Sequence, residues 1–403
     1  MAPKENSIIA PGARRKILQR ERNKSFCTTI LHDNSARQGV TVMRILFALP
    51  GFHRYDRGAE IALSSVASEL ATSGDDVTLI GSGEPREGKP YRFIHAASIR
   101  RERFERLPSL PVFRNNTSYE EATFAVSLAA KFRPRDYDVT VTCSFPFTNW
   151  VLRRPTLVGR RPPHVFVTQN GDWPSVANNS EYRFFGCDGL VCTNPDYFEN
   201  NRELRRCAMI PNGIDVAKFS KGIADRAAFG LREDAQIVLM VSAHIESKRV
   251  EQGIRAVAAI AGAHLVVAGD GPLRERAEAL ANDLMPGRYR RISVPAAQMP
   301  ALYRSADVFL HLSEYESFGN VYVEAMASGL PVVAHDNPRN RWLVGDEEYL
   351  VDSTNLEALS SQIDNALNKK LPVRDAQCAV ERFSIAAVAE SYRSFFRQIV
   401  GRA

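Results

Sequence analysis

The feature that most constrains the fold is a regular alternation of short apolar runs with helical segments. It begins at Met43-Arg-Ile-Leu-Phe-Ala-Leu49 and continues for most of the 403 residues. Runs of strand length lie at 43–49, 76–80, 138–143, 164–168, 188–192 and 207–210, and the clearest helix between them, Ala59 to Ser73, stops at Gly74. Short apolar strands separated by helices predict parallel βαβ units in an open, twisted sheet. A second series follows Pro211-Asn-Gly-Ile-Asp215, with strands at 236–242, 264–268, 291–294, 307–312 and 331–334. Helices are expected at 250–261, 272–284, 298–305, 320–328 and 355–368. The reading is two doubly wound, Rossmann-like α/β domains, 43–210 and 211–383, with Pro211-Asn-Gly as turn chemistry at the hinge. A last helix, Ser384 to Gln398, carries Val388, Tyr392, Phe395 and Phe396 on one side. It could brace the first domain or pack on the second. Two such domains facing one another form a cleft at the carboxyl ends of both sheets, where ligands of open α/β sheets bind.

Composition narrows the partners. No apolar run reaches the ~18 residues of a membrane-spanning helix. The net charge of +6 is mostly local: residues 1–42 hold eight Lys or Arg and three acids, or +5. The rest of the chain is nearly neutral, so the basic balance argues little for nucleic acid. Residues 1–42 lack an apolar period and read as a basic, unstructured extension. The alternatives are translation beginning at Met43 or an arm that touches anionic lipid. The six cysteines are scattered without a zinc spacing and are expected to be reduced thiols.

The most informative segment is Ser313-Glu-Tyr-Glu-Ser-Phe-Gly-Asn-Val-Tyr-Val-Glu-Ala-Met-Ala-Ser-Gly-Leu-Pro-Val-Val-Ala334. It reads as a loop at a strand's carboxyl end, a helix from Asn320 to Ser328, a Gly329–Pro331 stop and another strand. The amides of Gly319, Asn320 and Val321 head that helix without partners inside it. With the helix dipole they offer a seat for an anion such as a diphosphate, and Gly319 lets the backbone approach closely. Glu316 and Glu324 flank the seat. Carboxylates would repel a diphosphate, so their useful task is to accept hydrogen bonds from neutral hydroxyls on either side of it. A nucleotide sugar has such hydroxyls on its ribose and on its hexose. The plain alternative is an acidic loop residue before a helix, followed by a solvated helix glutamate.

This segment resembles the Glu-x7-Glu signature of retaining glycosyltransferases with the GT-B fold, family GT4. Gly58-Ala-Glu60, Ile210-Pro-Asn-Gly-Ile-Asp215, Val267-Ala-Gly-Asp-Gly-Pro272 and Leu302-Tyr-Arg-Ser-Ala-Asp307 resemble other blocks of that family in the same order. The likeness spans roughly 43–395. It implies that Glu324 binds the nucleotide ribose and that Glu316 contacts the transferred sugar near the reacting carbon. It implies that Ser317, Phe318, Gly319, Asn320 and Val321 surround the diphosphate, and that Lys248, with Arg249 as a second cation, neutralises it. Gly58 would admit the donor phosphate and acceptor, and Gly269 would shape the pocket near the base. Many members carry an Arg five residues before the lysine; here that position is Ala243, leaving His244 or Arg249 to substitute. In the first domain, Gln169, Asn170 and Asp172 stand where the family's sugar-facing histidine is sought, and Asn170 is the candidate catalytic group there.

The reaction so implied is retaining transfer of a hexosyl group from a nucleoside-diphosphate sugar to a glycan or lipid-linked acceptor. Cell-surface polysaccharide or glycolipid synthesis is the expected setting, in the cytoplasm or peripherally at the membrane. Basic clusters at Arg100-Arg101-Glu-Arg103, Arg153-Arg154 and Arg160-Arg161 are candidates for membrane contact, with solvated surface as the alternative. Phe145, Phe147 and Trp150 could hold the acceptor or simply fill core. No cofactor and no catalytic metal are expected. Asp136-Tyr-Asp138 imitates a metal motif but precedes its strand, the wrong end of a parallel sheet for ligand chemistry. A catalytically silent scaffold, or a sugar phosphorylase or epimerase on the same fold, are the rival readings.

Overall fold

The computed structural model describes residues 42–110, 112–113, 115–156, 159–169, 184–220, 222–314, 316–345, 350–368 and 380–401. Asn170, Asp172 and nearly all of the basic 1–42 stretch lie outside them. Residues from Met43 onward form one compact unit.

That unit contains two parallel sheets. The first is seven-stranded, in the order β3-β2-β1-β4-β5-β6-β7. Its strands are β1 Arg44–Ala48, β2 Asp76–Gly81, β3 Arg92–His95, β4 Val139–Thr142, β5 His164–Val167, β6 Gly189–Cys192 and β7 Cys207–Met209. The second is six-stranded, in the order β10-β9-β8-β11-β12-β13. It contains β8 Gln236–Val241, β9 Ala263–Ala268, β10 Tyr289–Ile292, β11 Val308–His311, β12 Val332–His335 and β13 Leu350–Val351. In each, the order reverses beside the first strand of its series, which defines the switch point of a doubly wound sheet.

Local chemistry explains the elements that position the cleft. The central strands are buried on both faces, as continuous apolar runs such as Ile45-Leu-Phe-Ala48 require. Helix α1, Gly58–Thr72, turns Leu63, Val66, Ala67 and Leu70 inward. It closes through Gly74 at φ +102°, with Asp75 N–H reaching Leu70 O at 3.1 Å. Edge strand β3 was not evident from the sequence. Its residues are only partly buried, so it lacks an apolar run, and the Arg92 guanidinium bonds the Thr78 hydroxyl of β2.

The C-terminal helix, Ile385–Val400, packs on the first sheet's layer. Val388, Tyr392, Phe395, Phe396 and Ile399 share one buried cluster with Ile45, Phe47 and Leu63. Phe47 and Phe396 meet edge-on at 6.5 Å between ring centres. Arg393 Nε also reaches Asp75 Oδ2 at 2.9 Å, where the carboxylate is nearly inaccessible. The chain thus passes between the two sheets twice, and the passages lie side by side. Ile214 N–H bonds Phe383 O at 2.8 Å, and Ile385 N–H bonds Ile214 O at 3.1 Å. A Cβ on Gly213 would sit 3.0 Å from the Ile385 Cα, so this close approach favours glycine.

Candidate functional site

The loop after β11 is built as its sequence suggests. Gly319, at φ +92°, bends the chain into helix α2, Asn320–Ala327, and no side chain caps that helix start. The helix ends at Ser328; Gly329 at φ +81° turns out of it, and Leu330 N–H closes on Ala325 O at 3.0 Å. Above this start lies a cavity of about 420 Å³. The second sheet's side contributes Val241, Ser242, Ala243, Lys248, Gly269, Asp270, His311 and the run Glu316–Val321. The first contributes Gly58, Ala59 and Gln169, and Asn212 enters from the passage between the sheets.

Glu316 is the centre of its electrostatics. One carboxylate oxygen, Oε1, receives Lys248 Nζ and also His311 Nε2, the latter at 2.9 Å. A carboxylate only accepts, so His311 donates through Nε2 while its Nδ1 faces the Ser242 hydroxyl at 3.2 Å. Burial works to raise the Glu316 carboxyl, but the hydrogen bond and charge of His311, with the Lys248 ammonium, outweigh it and hold the group at about 2. Glu316 is therefore an ionised acceptor at neutral pH.

The other candidates distribute unevenly. Ser317, Phe318, Gly319, Asn320, Val321, Gly58, Gly269 and Lys248 all line the cavity. Gly269 adopts φ +155°, and a Cβ there would collide with the Ser242 carbonyl. A Cβ on Gly58 would meet no protein atom, so the room its hydrogen leaves belongs to the cavity. Arg249 does not line this cavity. Its guanidinium turns to Glu314 and to the Ser353 hydroxyl, the latter at 3.2 Å. His244 is also directed elsewhere, toward the Tyr289 hydroxyl at 3.3 Å, and burial lowers its pKa. Neither fills the place of the arginine that Ala243 replaces, so Lys248 is the one Lys or Arg lining this cavity among the described residues. Glu324 lies beside Tyr303, whose hydroxyl donates to Oε2 at 2.9 Å, and burial raises its carboxyl. It is not part of the cavity wall.

Several site residues escaped the sequence reading. His311, the last residue of β11, was not singled out. Asn212 read only as turn chemistry; it exchanges amide hydrogen bonds with Gln169 and donates to Asn320 Oδ1 at 3.0 Å. Arg339, after β12, contacts the Glu316 carbonyl. The hint in each case was a polar residue at the carboxyl end of a parallel strand or just after it.

A second cavity, about 630 Å³, lies on the first sheet's side and shares Gly58, Ala59 and Gln169 with the first. Phe145 and Phe166 line it, with Ser118, Ser144 and Glu60. Its charges are matched internally: Glu120 receives Arg54, Arg101 and the Tyr55 hydroxyl. Glu121, buried and bonded by Thr148 N–H, is pushed up by burial to about 7. Phe147 and Trp150 pack on each other at 5.5 Å. Asp138 is engaged at the opposite end of the sheet, in an ion pair with Arg44 at 2.6 Å. Arg153, Arg154 and Arg161 spend donors on Phe184 O, Phe132 O and Asp188. No helix among the described residues is long and apolar enough to cross a membrane.

Two Rossmann-like sheets presenting a shared cavity at their carboxyl ends define a GT-B architecture. The family described as "Glycosyltransferase Family 4" matches residues 57–218, and "Glycosyl transferases group 1" matches 223–379. The chain belongs to the GT4-type glycosyltransferases of the GT-B fold. One relative is "Lipopolysaccharide core biosynthesis glycosyltransferase LpsE" of Rhizobium meliloti (strain 1021), 27% identical over 350 residues, which cover 84% of this chain and 95% of LpsE. Among solved structures, the sucrose-phosphate synthase of Thermosynechococcus elongatus superposes with a TM-score of 0.71 at 21% identity, over 90% of this chain and all of that one. Anabaena HepE, solved in complex with UDP-glucose, gives 0.65 at 17% identity, over 88% of this chain and all of HepE.

Proposed function

We propose that the chain transfers a hexosyl group, with retention of anomeric configuration, from a nucleoside-diphosphate sugar to a glycan or lipid-linked acceptor of the bacterial cell surface. The observation that carries the reading is the convergence of an uncapped helix start, Lys248 and an ionised Glu316 on one cavity walled by both sheets. LpsE, named for lipopolysaccharide core synthesis, supports the pathway, and HepE with its UDP-glucose supports the donor class.

In this reading the diphosphate rests on the amides of Gly319, Asn320 and Val321 and shares the Lys248 ammonium with Glu316. Cleavage of the sugar–phosphate bond leaves negative charge on the departing diphosphate, where these groups stabilise it. The sugar gains positive character. A carboxyl held at about 2 cannot donate a proton at neutral pH, so Glu316 is not the general acid. It accepts from the sugar's hydroxyls and opposes the positive charge. The acceptor occupies the 630 Å³ cavity, whose shared wall at Gly58, Ala59 and Gln169 brings its hydroxyl to the donor. The departing phosphate oxygen takes the acceptor's proton, so no separate base is required. Glu324 serves the ribose after its carboxylate leaves Tyr303. Asn170 is the catalytic candidate proposed for the first domain, and it lies outside the described residues.

The enzyme acts on the cytoplasmic side of the membrane. The stretch from Ile99 to Leu110 would touch the bilayer: Ile99, Leu107 and Leu110 are exposed beside exposed Arg100 and Arg103. Co-sedimentation with anionic but not neutral vesicles, lost in Arg100→Ser/Arg103→Ser, is the expected result; equal binding to both would remove this contact.

The decisive experiment incubates the protein with a panel of nucleotide sugars and truncated lipopolysaccharide acceptors. Nucleoside diphosphate release and the product's anomeric configuration are measured, with and without EDTA. Donor-dependent, chelator-insensitive release with an axial-to-axial or equatorial-to-equatorial outcome is expected. Binding without turnover would favour a silent scaffold, and phosphate-dependent release of a sugar phosphate would favour a phosphorylase.

A further inference from the structure

We infer that Asn194 and Arg339 are positioning residues: Asn194 from the first sheet's domain, and Arg339 from the second's through its bond to Asp196 of the first, clamp the backbone that carries Glu316, so that the site is completed only with both sheets apposed. This rests on the proposed transfer reaction for its consequence, but its geometry stands apart from it.

Two consecutive carbonyls of the loop are held. Arg339 reaches the Glu316 carbonyl through Nη1, and through Nη2 it reaches Asp196 Oδ2 at 2.8 Å. Asp196 belongs to helix α3, Pro195–Asn201, which follows β6 of the first sheet. The next carbonyl, that of Ser317, accepts Asn194 Nδ2 at 2.5 Å. The Thr193 hydroxyl also lies 3.3 Å from it, but its single proton has a nearer acceptor in Thr168 O at 2.8 Å. The Ser317 hydroxyl returns a bond to Gln169 O at 2.9 Å. The Ser317–Phe318 peptide is thus tied directly to the first sheet's domain and the Glu316–Ser317 peptide is tied to it through Arg339 and Asp196, while the Glu316 side chain is tied to Lys248 and His311 of the second.

Asn194 divides its amide between two tasks. Its oxygen caps α3 by accepting Tyr197 N–H at 2.9 Å, and its nitrogen reaches across to Ser317. The side chain is fully buried. An aspartate retains the cap, at which Asp and Asn are about equally good, and replaces the crossing donor with an oxygen that cannot donate. Asn194→Asp therefore removes the clamp while sparing the local fold.

The clamp predicts a loss in the chemical step rather than in nucleotide affinity. The amides of Gly319–Val321 and Lys248 lie within the second sheet's domain and still bind the diphosphate. Glu316 loses its backbone restraint, and displacement of a reacting group by a fraction of an ångström costs about ten- to a hundredfold.

The test compares wild type with Asn194→Asp, Arg339→Met and the conservative Arg339→Lys. Amide hydrogen exchange of the 313–321 peptide is read alongside UDP binding by calorimetry and, with whichever donor the wild type turns over, kcat and KM. Faster exchange confined to 313–321 is expected in Asn194→Asp and Arg339→Met, with kcat down about ten- to a hundredfold, UDP affinity within about twofold, and partial rescue in Arg339→Lys. Unchanged exchange in that peptide, or a fall in UDP affinity matching the fall in kcat, overturns the clamp. Faster exchange in a protein whose wild type turns over no donor keeps the clamp and refutes the transfer reaction instead.

Discussion

Replacing Lys248 with methionine keeps the side chain's length and removes its charge from the cavity. Two unit charges about 4 Å apart interact by roughly 4 kcal/mol at an effective dielectric of about 20. The Lys248 side chain retains 20% exposure, so some of that is screened, and about 3 kcal/mol is a fair figure for the lost stabilisation of a departing diphosphate. The helix start at Gly319 cannot compensate fully, because its partial charge is about half a unit. Arg249 and His244 face other partners. At about 1.4 kcal/mol per tenfold, Lys248→Met should lower kcat about a hundredfold. Lys248→Arg, which keeps the charge, should recover most of it. The assay is release of nucleoside diphosphate at saturating donor. A kcat in Lys248→Met within about threefold of wild type would show that the ammonium does not act on the leaving group.

Three further outcomes follow from the same geometry. Glu316 is held at about 2 against a reference of 4.5, so its ionised form favours the fold; that contribution is complete above pH 4.5 and disappears as pH falls toward 2. It amounts to about 3 kcal/mol, and Glu316→Gln should flatten the acid limb of the stability–pH curve over that window, measured by urea unfolding, while abolishing turnover. Glu324→Ala should weaken donor binding, seen as a raised KM with a smaller change in kcat; an unaltered KM would exclude it from ribose recognition. Arg393→Met leaves the buried Asp75 carboxylate without its cation and should cost about 3–5 kcal/mol of stability, read as an earlier denaturant midpoint, since that pair anchors the C-terminal helix.

The fold was legible where local and global preferences agree. Continuous runs such as Ile237-Val-Leu-Met240 can only be doubly buried strands, and Gly74 and Gly329 terminate helices through conformations that other residues resist. It was obscure where burial is partial, as in β3, and in the helix Asn116–Lys131, which buries two consecutive glutamates. An apolar pattern cannot announce such a helix, because Glu120 is admitted by Arg54 and Arg101, and Glu121 by the Thr148 amide. The cavity followed the same rule. The run Ser317–Val321 was readable because a loop, a glycine and a helix start adjoin in sequence. Asn194 and Arg339 were not, because their partners lie more than a hundred residues away or across the sheets, at Ser317 and Asp196. Arg249, adjacent to Lys248 in sequence, has a left-handed backbone, φ +52°, and its guanidinium meets Glu314 rather than lining the cavity.

The central claim is tested most directly by a crystal structure with UDP, or with the nucleoside diphosphate of whichever donor is turned over. The account predicts phosphate oxygens within hydrogen-bonding distance of the amides at Gly319–Val321 and of Lys248 Nζ, with the 630 Å³ cavity left open for an acceptor. A nucleotide seated away from that helix start, with Lys248 still engaged by Glu316 and Ser313, would contradict it.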